Sequence, residues 1–134
     1  MKIMKWHEKD KLESDFLFAG TRVYAIGHKN GRFAGRWNGI WNLPLKIADG
    51  VNFGLLTDDA TQIGWLPDFC KEFTFSGDIE RTFEIGGLSI NQRVFVLKLK
   101  RGVCWIFRIN NRENKKVTFK FIANPVTNLE WELK

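Results

Sequence analysis

Between residues 93 and 123 large apolar side chains recur at every second position: Phe95, Leu97 and Leu99, then Val103, Trp105, Phe107 and Ile109, and, past a polar run, Val117, Phe119 and Phe121. Only an extended chain puts alternate residues on one face. The stretch therefore predicts three strands, and a chain carrying them is not built mainly of helices. A three-residue hairpin loop over residues 100–102, with Gly102 left-handed, would pair Leu99 with Val103, Leu97 with Trp105 and Phe95 with Phe107. Every odd position then lies on one face. A two-residue loop would pair odd with even positions and divide the apolar set, so burial favours the longer turn.

The even positions Val94, Val96, Cys104, Ile106 and Ile122 are also apolar, whereas Lys98, Lys100, Arg108 and Lys120 are not, so one end of this second face needs a cover. The N-terminal half of the chain is the commoner source of one, a neighbouring protein surface the other. That half suits the task. Residues 16–56 mix short apolar runs with closely spaced glycines, a pattern of strands and tight turns rather than of helices, and residues 72–75 and 81–85 read as two further strands. Residues 7–15 interleave charges of both signs, so the expected organisation is a charged leader over residues 1–15 and one domain over residues 16–134. The expected fold is all-β, an antiparallel β-sandwich with little helix.

Composition agrees. The chain has 134 residues, 44% hydrophobic and 27% charged, which suits one folded domain and excludes a disordered tail or fibrous repeat. No apolar run approaches the roughly 20 residues of a membrane helix or resembles a signal-peptide core, so a cytoplasmic location is expected. Cys70 and Cys104 stand far apart without metal-ligand spacing and read as two buried free thiols.

Material for catalysis is thin. The two histidines are His7, in the leader, and His28, in a glycine-flanked turn. Asp58 and Asp59 are adjacent, and neighbours on an extended chain point apart. No catalytic residue, metal site or cofactor is expected. Residues 81–134 carry 11 Lys and Arg against 4 acids, while residues 1–80 carry 10 against 11. A basic β-surface that binds single-stranded nucleic acid is therefore the alternative reading, although the rings of this region fall on the expected core face and the lysines opposite. Edge-strand lysines that block aggregation account for the same charges.

In residues 31–54 Trp37 and Trp41 alternate with Asn38 and Asn42. Flat rings beside amides are what a sugar site uses, rings packing on pyranose C–H groups and amides bonding hydroxyls. Closure of one end of the core by both tryptophans weighs more, because Trp is usually largely buried.

The run Gly20-Thr21-Arg22-Val23-Tyr24-Ala25-Ile26-Gly27, the Gly31-Arg32-Phe33 turn and the run Gly39-Ile40-Trp41-Asn42-Leu43-Pro44-Leu45-Lys46-Ile47-Ala48-Asp49-Gly50 resemble the N-terminal β-sandwich domain of glycogen-debranching (amylo-α-1,6-glucosidase-type) enzymes. The final strands, to Ile109-Asn110-Asn111 and from Val117 to Ile122, are similar too. Leu43 stands where the resemblance implies a histidine before the proline. Such domains have a supersandwich fold like that of galactose mutarotase and precede a helical barrel that bears the acid and base carboxylates. The resemblance implies a non-catalytic accessory domain or subunit of α-glucan glycoside hydrolases, to which the ring-and-amide pattern adds weak glycan contact through Trp37, Asn38, Trp41 and Asn42. It also implies docking, through Val94, Val96, Ile106 and Ile122, to a separately encoded helical-barrel glucosidase or to a second copy.

Overall fold

The structure, a computed structural model, describes residues 5–131. The remaining residues of the expected leader and domain lie outside the described ones. The strands are β1 (Trp6–Glu8), β2 (Asp15–Ala19), β3 (Tyr24–His28), β4 (Gly39–Asn42), β5 (Leu45–Thr57), β6 (Gly64–Trp65), β7 (Cys70–Phe75), β8 (Ile79–Ile85), β9 (Leu88–Val96), β10 (Val103–Asn111) and β11 (Phe119–Trp131). They form two antiparallel sheets. The first runs β1-β7-β8-β9-β10 and the second β11-β5-β4-β3-β2, with β6 added against β5. A 3-10 turn, Leu66–Phe69, leads into β7 and is the helical part of the described residues. The chain is thus the all-β antiparallel sandwich that the alternation predicts.

Local chemistry sets the central hairpin. Gly86 and Gly87 both take positive φ, 55° and 75°, as a two-residue turn matched to strand twist requires. The turn pairs Ile85 with Leu88, and the register then sets Phe83 opposite Ile90 and Ile79 opposite Val94. All four of these latter side chains are at most 1% exposed. The second sheet closes over them, with Phe53 4.8 Å from Phe107 and Phe16 4.9 Å from Phe73 between ring centroids. Burying side chains of this size contributes roughly 1.5–3 kcal/mol each, more than strand propensity supplies at any one position.

The β9–β10 register differs from the expected one. Val96 lies opposite Val103, Val94 opposite Trp105 and Gln92 opposite Phe107. The loop spans residues 98–101, closed by the Leu97 amide donating to the Gly102 carbonyl at 3.0 Å, and Gly102 is not at positive φ. Even positions of β9 therefore share the inner face with odd positions of β10. Phe95 turns outward, where Arg93 lies 5.5 Å from its ring, and Leu99 is 89% exposed. The cause is Arg81. It faces inward from β8 and needs a partner, and Gln92 Oε1 accepts from it at 2.7 Å. A polar side chain therefore belongs in the inner row Leu88–Ile90–Gln92–Val94, and it disguises that row in the sequence. The third ribbon is also displaced: β11 crosses to the other sheet and pairs with β5, Phe121 opposite Leu55.

The leader is not outside the fold. β1 extends the first sheet against β7, and the Trp6 ring meets Phe16 and Phe73 edge-on at 5.6 and 6.5 Å. The four residues expected to share a docking face are separated. Val94 is 1% exposed in the interior, Val96 is half-buried against Gly20, Ile106 is 49% exposed outside the first sheet, and Ile122 lies on β11 in the second. The shifted register and the strand that changes sheets are what disperse them.

Candidate functional site

Cross-strand pairing builds an aromatic row on the outer face of the second sheet. Phe16 and Phe18 of β2 pack into the interior and Ala25 of β3 is fully buried, so the alternate residues face out. These are Leu17 opposite Ile26, Ala19 opposite Tyr24, Tyr24 opposite Trp41, and Trp41 opposite Lys46. The Tyr24 and Trp41 rings lie 6.1 Å apart and 2° from parallel, and Trp37 stacks on Trp41 at 6.1 Å and 25°.

The β3–β4 connection fixes this row from outside. Trp41 Nε1 donates to the Trp37 carbonyl at 3.1 Å, and Lys46 Nζ donates to the Arg36 carbonyl at 2.8 Å. Lys46 also pairs with Asp49 at 2.6 Å and lies 5.6 Å from the Trp41 ring. Gly39 permits the approach: it takes φ 140°, and a Cβ there would fall 2.6 Å from Lys46 Cε. Trp41 is 3% exposed as a result, buried by this flap and not by the sandwich core.

Of the four expected glycan residues, the structure presents two to solvent. Trp41 is enclosed, and Asn38, 5% exposed, uses its amide on the Ala34 N–H at 3.1 Å and on Asp15 at 3.4 Å. Trp37 is 56% exposed, and Asn42 is half-buried. Asn42 belongs to a different feature, a trough of about 710 Å³ at the end of the outer face. Its floor is Leu17, Ala19, Tyr24 and Ile26; Arg22, Asn42, Leu43 and Arg101 stand along its sides. Arg101 comes from the loop between β9 and β10, which is held here by Thr21 Oγ1 donating to the Lys98 carbonyl at 2.7 Å. No carboxylate lines the trough, and among the described residues neither arginine makes an ion pair.

A trough of this size, apolar below with a few convergent donors above, suits a small or chain-like ligand. It offers one ring, Tyr24, and C–H surface for packing, and guanidinium and amide groups for hydroxyl or anionic oxygens. Sequence reading brought one of its four residues, Asn42, to this trough; Trp37, Asn38 and Trp41 do not line it. It missed Tyr24, Arg22 and Arg101, because Arg101 reaches the site only through tertiary folding and Tyr24 is singled out only by its stack on Trp41.

Other ionisable groups serve the fold. His28 Nε2 lies 3.3 Å from Asp15, and His28 Nδ1 is buried with no hydrogen-bond partner among the described residues. Arg81 is enclosed between the sheets, donating from Nε to the Lys29 carbonyl and from Nη2 to the His28 carbonyl at 3.3 Å. Burial pulls its pKa down to about 10, so it remains charged at neutral pH. Burial pushes the Cys70 thiol up to about 11, with the charge of Arg81 acting against it; both Cys70 and Cys104 are free, and they are half-buried, short of the expected full burial. At the far end of β5 a second depression of about 640 Å³ mixes Asp58, Asp59 and Glu113 with Lys115 and Lys116 and contains no ring. No group of three or more His, Cys, Asp or Glu among the described residues is placed to hold a metal, and no helix among them is long and apolar enough to cross a membrane.

Comparison with protein-family models, with curated proteins and with solved structures finds no match for the chain.

Proposed function

We propose that this chain is a non-catalytic β-sandwich module of cytoplasmic α-glucan metabolism, an accessory domain or subunit of glycogen-debranching-type glycoside hydrolases that contacts glucan in the trough and docks to a helical-barrel glucosidase. The observation that carries the binding half is the trough itself: the Tyr24 ring, backed by Trp41, beside Asn42, Arg22 and Arg101. Pyranose C–H faces pack on such rings, and amide and guanidinium donors reach hydroxyls. The glucan assignment draws on the likeness of residues 20–50 to debranching-enzyme domains.

Titration with maltoheptaose, followed by tryptophan emission, tests the reading. Trp41 stacks on Tyr24, so a sugar in the trough should give a saturable change that Tyr24→Ala abolishes. A flat trace from folded protein removes the glucan claim. The two rim arginines without ion pairs favour one rival, single-stranded nucleic acid. Its binding would weaken steeply with added salt, and failure to be retained on heparin at low salt would dispose of it.

A further inference from the structure

The sandwich is closed on one side and open on the other. β1 and β2 end their sheets on one side, β10 and β11 on the opposite side. From residue 95 to residue 126 no side chain is fully buried. Trp105, Phe107 and Ile109 point inward and still remain half-buried, and Phe121, against Phe107 at 4.9 Å, is 38% exposed. The interior thus shows its rings between the two last strands.

The four terminal strands are not equally able to accept another strand. β1 has 3 residues and β2 has 5. β11 contains Pro125 and two register shifts, devices that blunt an edge. β10 has 9 residues, without proline and without a break in its pairing to β9. Its free groups can be assigned. Backbone bonds from Leu97 N to Gly102 O and from Arg112 N to Gly87 O mark the hydrogen-bonded pairs at both ends of the ladder. Antiparallel alternation then commits Cys104, Ile106 and Arg108 to β9 and leaves the N–H and C=O of Trp105, Phe107 and Ile109 facing outward. Among the described residues β10 pairs with β9 alone.

Charge selects the partner. Residues 97–123 contain Lys98, Lys100, Arg101, Arg108, Arg112, Lys115, Lys116 and Lys120 against Glu113 as the sole acid. Of these cations only Arg112 is in an ion pair among the described residues, with Glu84 at 3.0 Å. A second copy would bring the same cations to the same edge and be repelled. We propose that β10 is a docking edge for an extended acidic segment of a partner protein, which adds as a sixth strand to the first sheet, covers Trp105, Phe107 and Phe121 with its apolar side chains, and sets its outward carboxylates against Arg108. The proposal requires a protein partner but no glycan, so it stands or falls apart from the trough.

The test uses the full chain and a short peptide of alternating glutamate and valine, with a peptide of the same composition in two blocks and one of alternating lysine and valine as controls. The alternating acidic peptide should bind, and it should slow amide exchange at Trp105, Phe107 and Ile109 while leaving Tyr24 and the trough unchanged. The controls should not. Arg108→Glu, at an exposed position, should weaken binding about fivefold and shift preference towards the lysine peptide. Equal binding of all three peptides, protection elsewhere than β10, or a dimer of the unmixed protein in sedimentation would overturn the proposal.

Discussion

A guanidinium sealed between two sheets must find acceptors, and Arg81 finds three without a carboxylate: the carbonyls of His28 and Lys29 and the amide of Gln92. Each acceptor belongs to a different strand or turn, so one side chain ties β8, β9 and the end of β3 together. Gln92→Leu strands a charged N–H in the interior and should lower stability by roughly 1–3 kcal/mol. Arg81→Met removes the charge yet leaves the Lys29 carbonyl and the Gln92 amide oxygen without their donor, and should also destabilise, by about 1–3 kcal/mol. Chemical denaturation measures both, and variants as stable as the parent would mean that Arg81 holds nothing. At this scale the sequence was only partly readable. Trp37 and Trp41 announced an aromatic cluster, but nothing local told that Trp41 would lie under Lys46 on the outside of a sheet and Trp37 in solvent. Gln92 reads as a surface residue because its partner is 11 positions away on another strand.

At the scale of elements, β1 shows how a charged segment is held. Its Trp6 ring is clamped by Lys29 at 4.4 Å, Glu8 accepts from Trp6 and Lys29, and His7 meets Glu72 of β7 at 2.9 Å. The Trp6 indole N–H first, then Lys29, holds the Glu8 carboxyl below the ordinary 4.5. The hydrogen bond from His7 lowers Glu72 in the same way. Carboxyls depressed in the folded state stabilise it above their ordinary value and lose that contribution as pH falls through the lowered one. β1 should therefore be secure at neutral pH and detach from β7 below the ordinary carboxylate range, before the central strands open. Amide exchange followed down the pH scale, corrected for intrinsic rates, would show β1 losing protection first; simultaneous loss across β1 and β8 would refute the order. The strands themselves were legible as elements: β10 and the start of β11 follow the counted alternation, and residues 72–75 and 81–85 lie inside β7 and β8. The pairing of β9 with β10 was not, because period-two alternation says which residues of one strand share a face and leaves open which neighbour they meet.

For the whole molecule, the pairing of β11 with β5 is the longest closure in the chain, joining residues 119–126 to residues 50–57 with Phe121 opposite Leu55. Four of the five strands of the first sheet, β7 to β10, lie between these partners in sequence, so the second sheet cannot be finished until they have formed or been looped out, a non-local arrangement that folds slowly. A chain ending before β11 leaves one edge of β5 and the Phe53–Phe107 contact uncovered. It should lose cooperative thermal unfolding, whereas a sharp transition in the truncated chain would show that β11 is dispensable. The sequence by itself determined that the chain is all-β, since alternation of bulky apolar residues and a glycine-rich first half are properties of single segments. Tertiary structure alone decided the register after Gln92, the passage of β11 to the second sheet, the union of Tyr24, Arg22 and Arg101 around one trough, and the open edge of β10. Those features depend on contacts between residues far apart, where the needs of one buried group, such as Arg81, outweigh the pattern of the segment it meets.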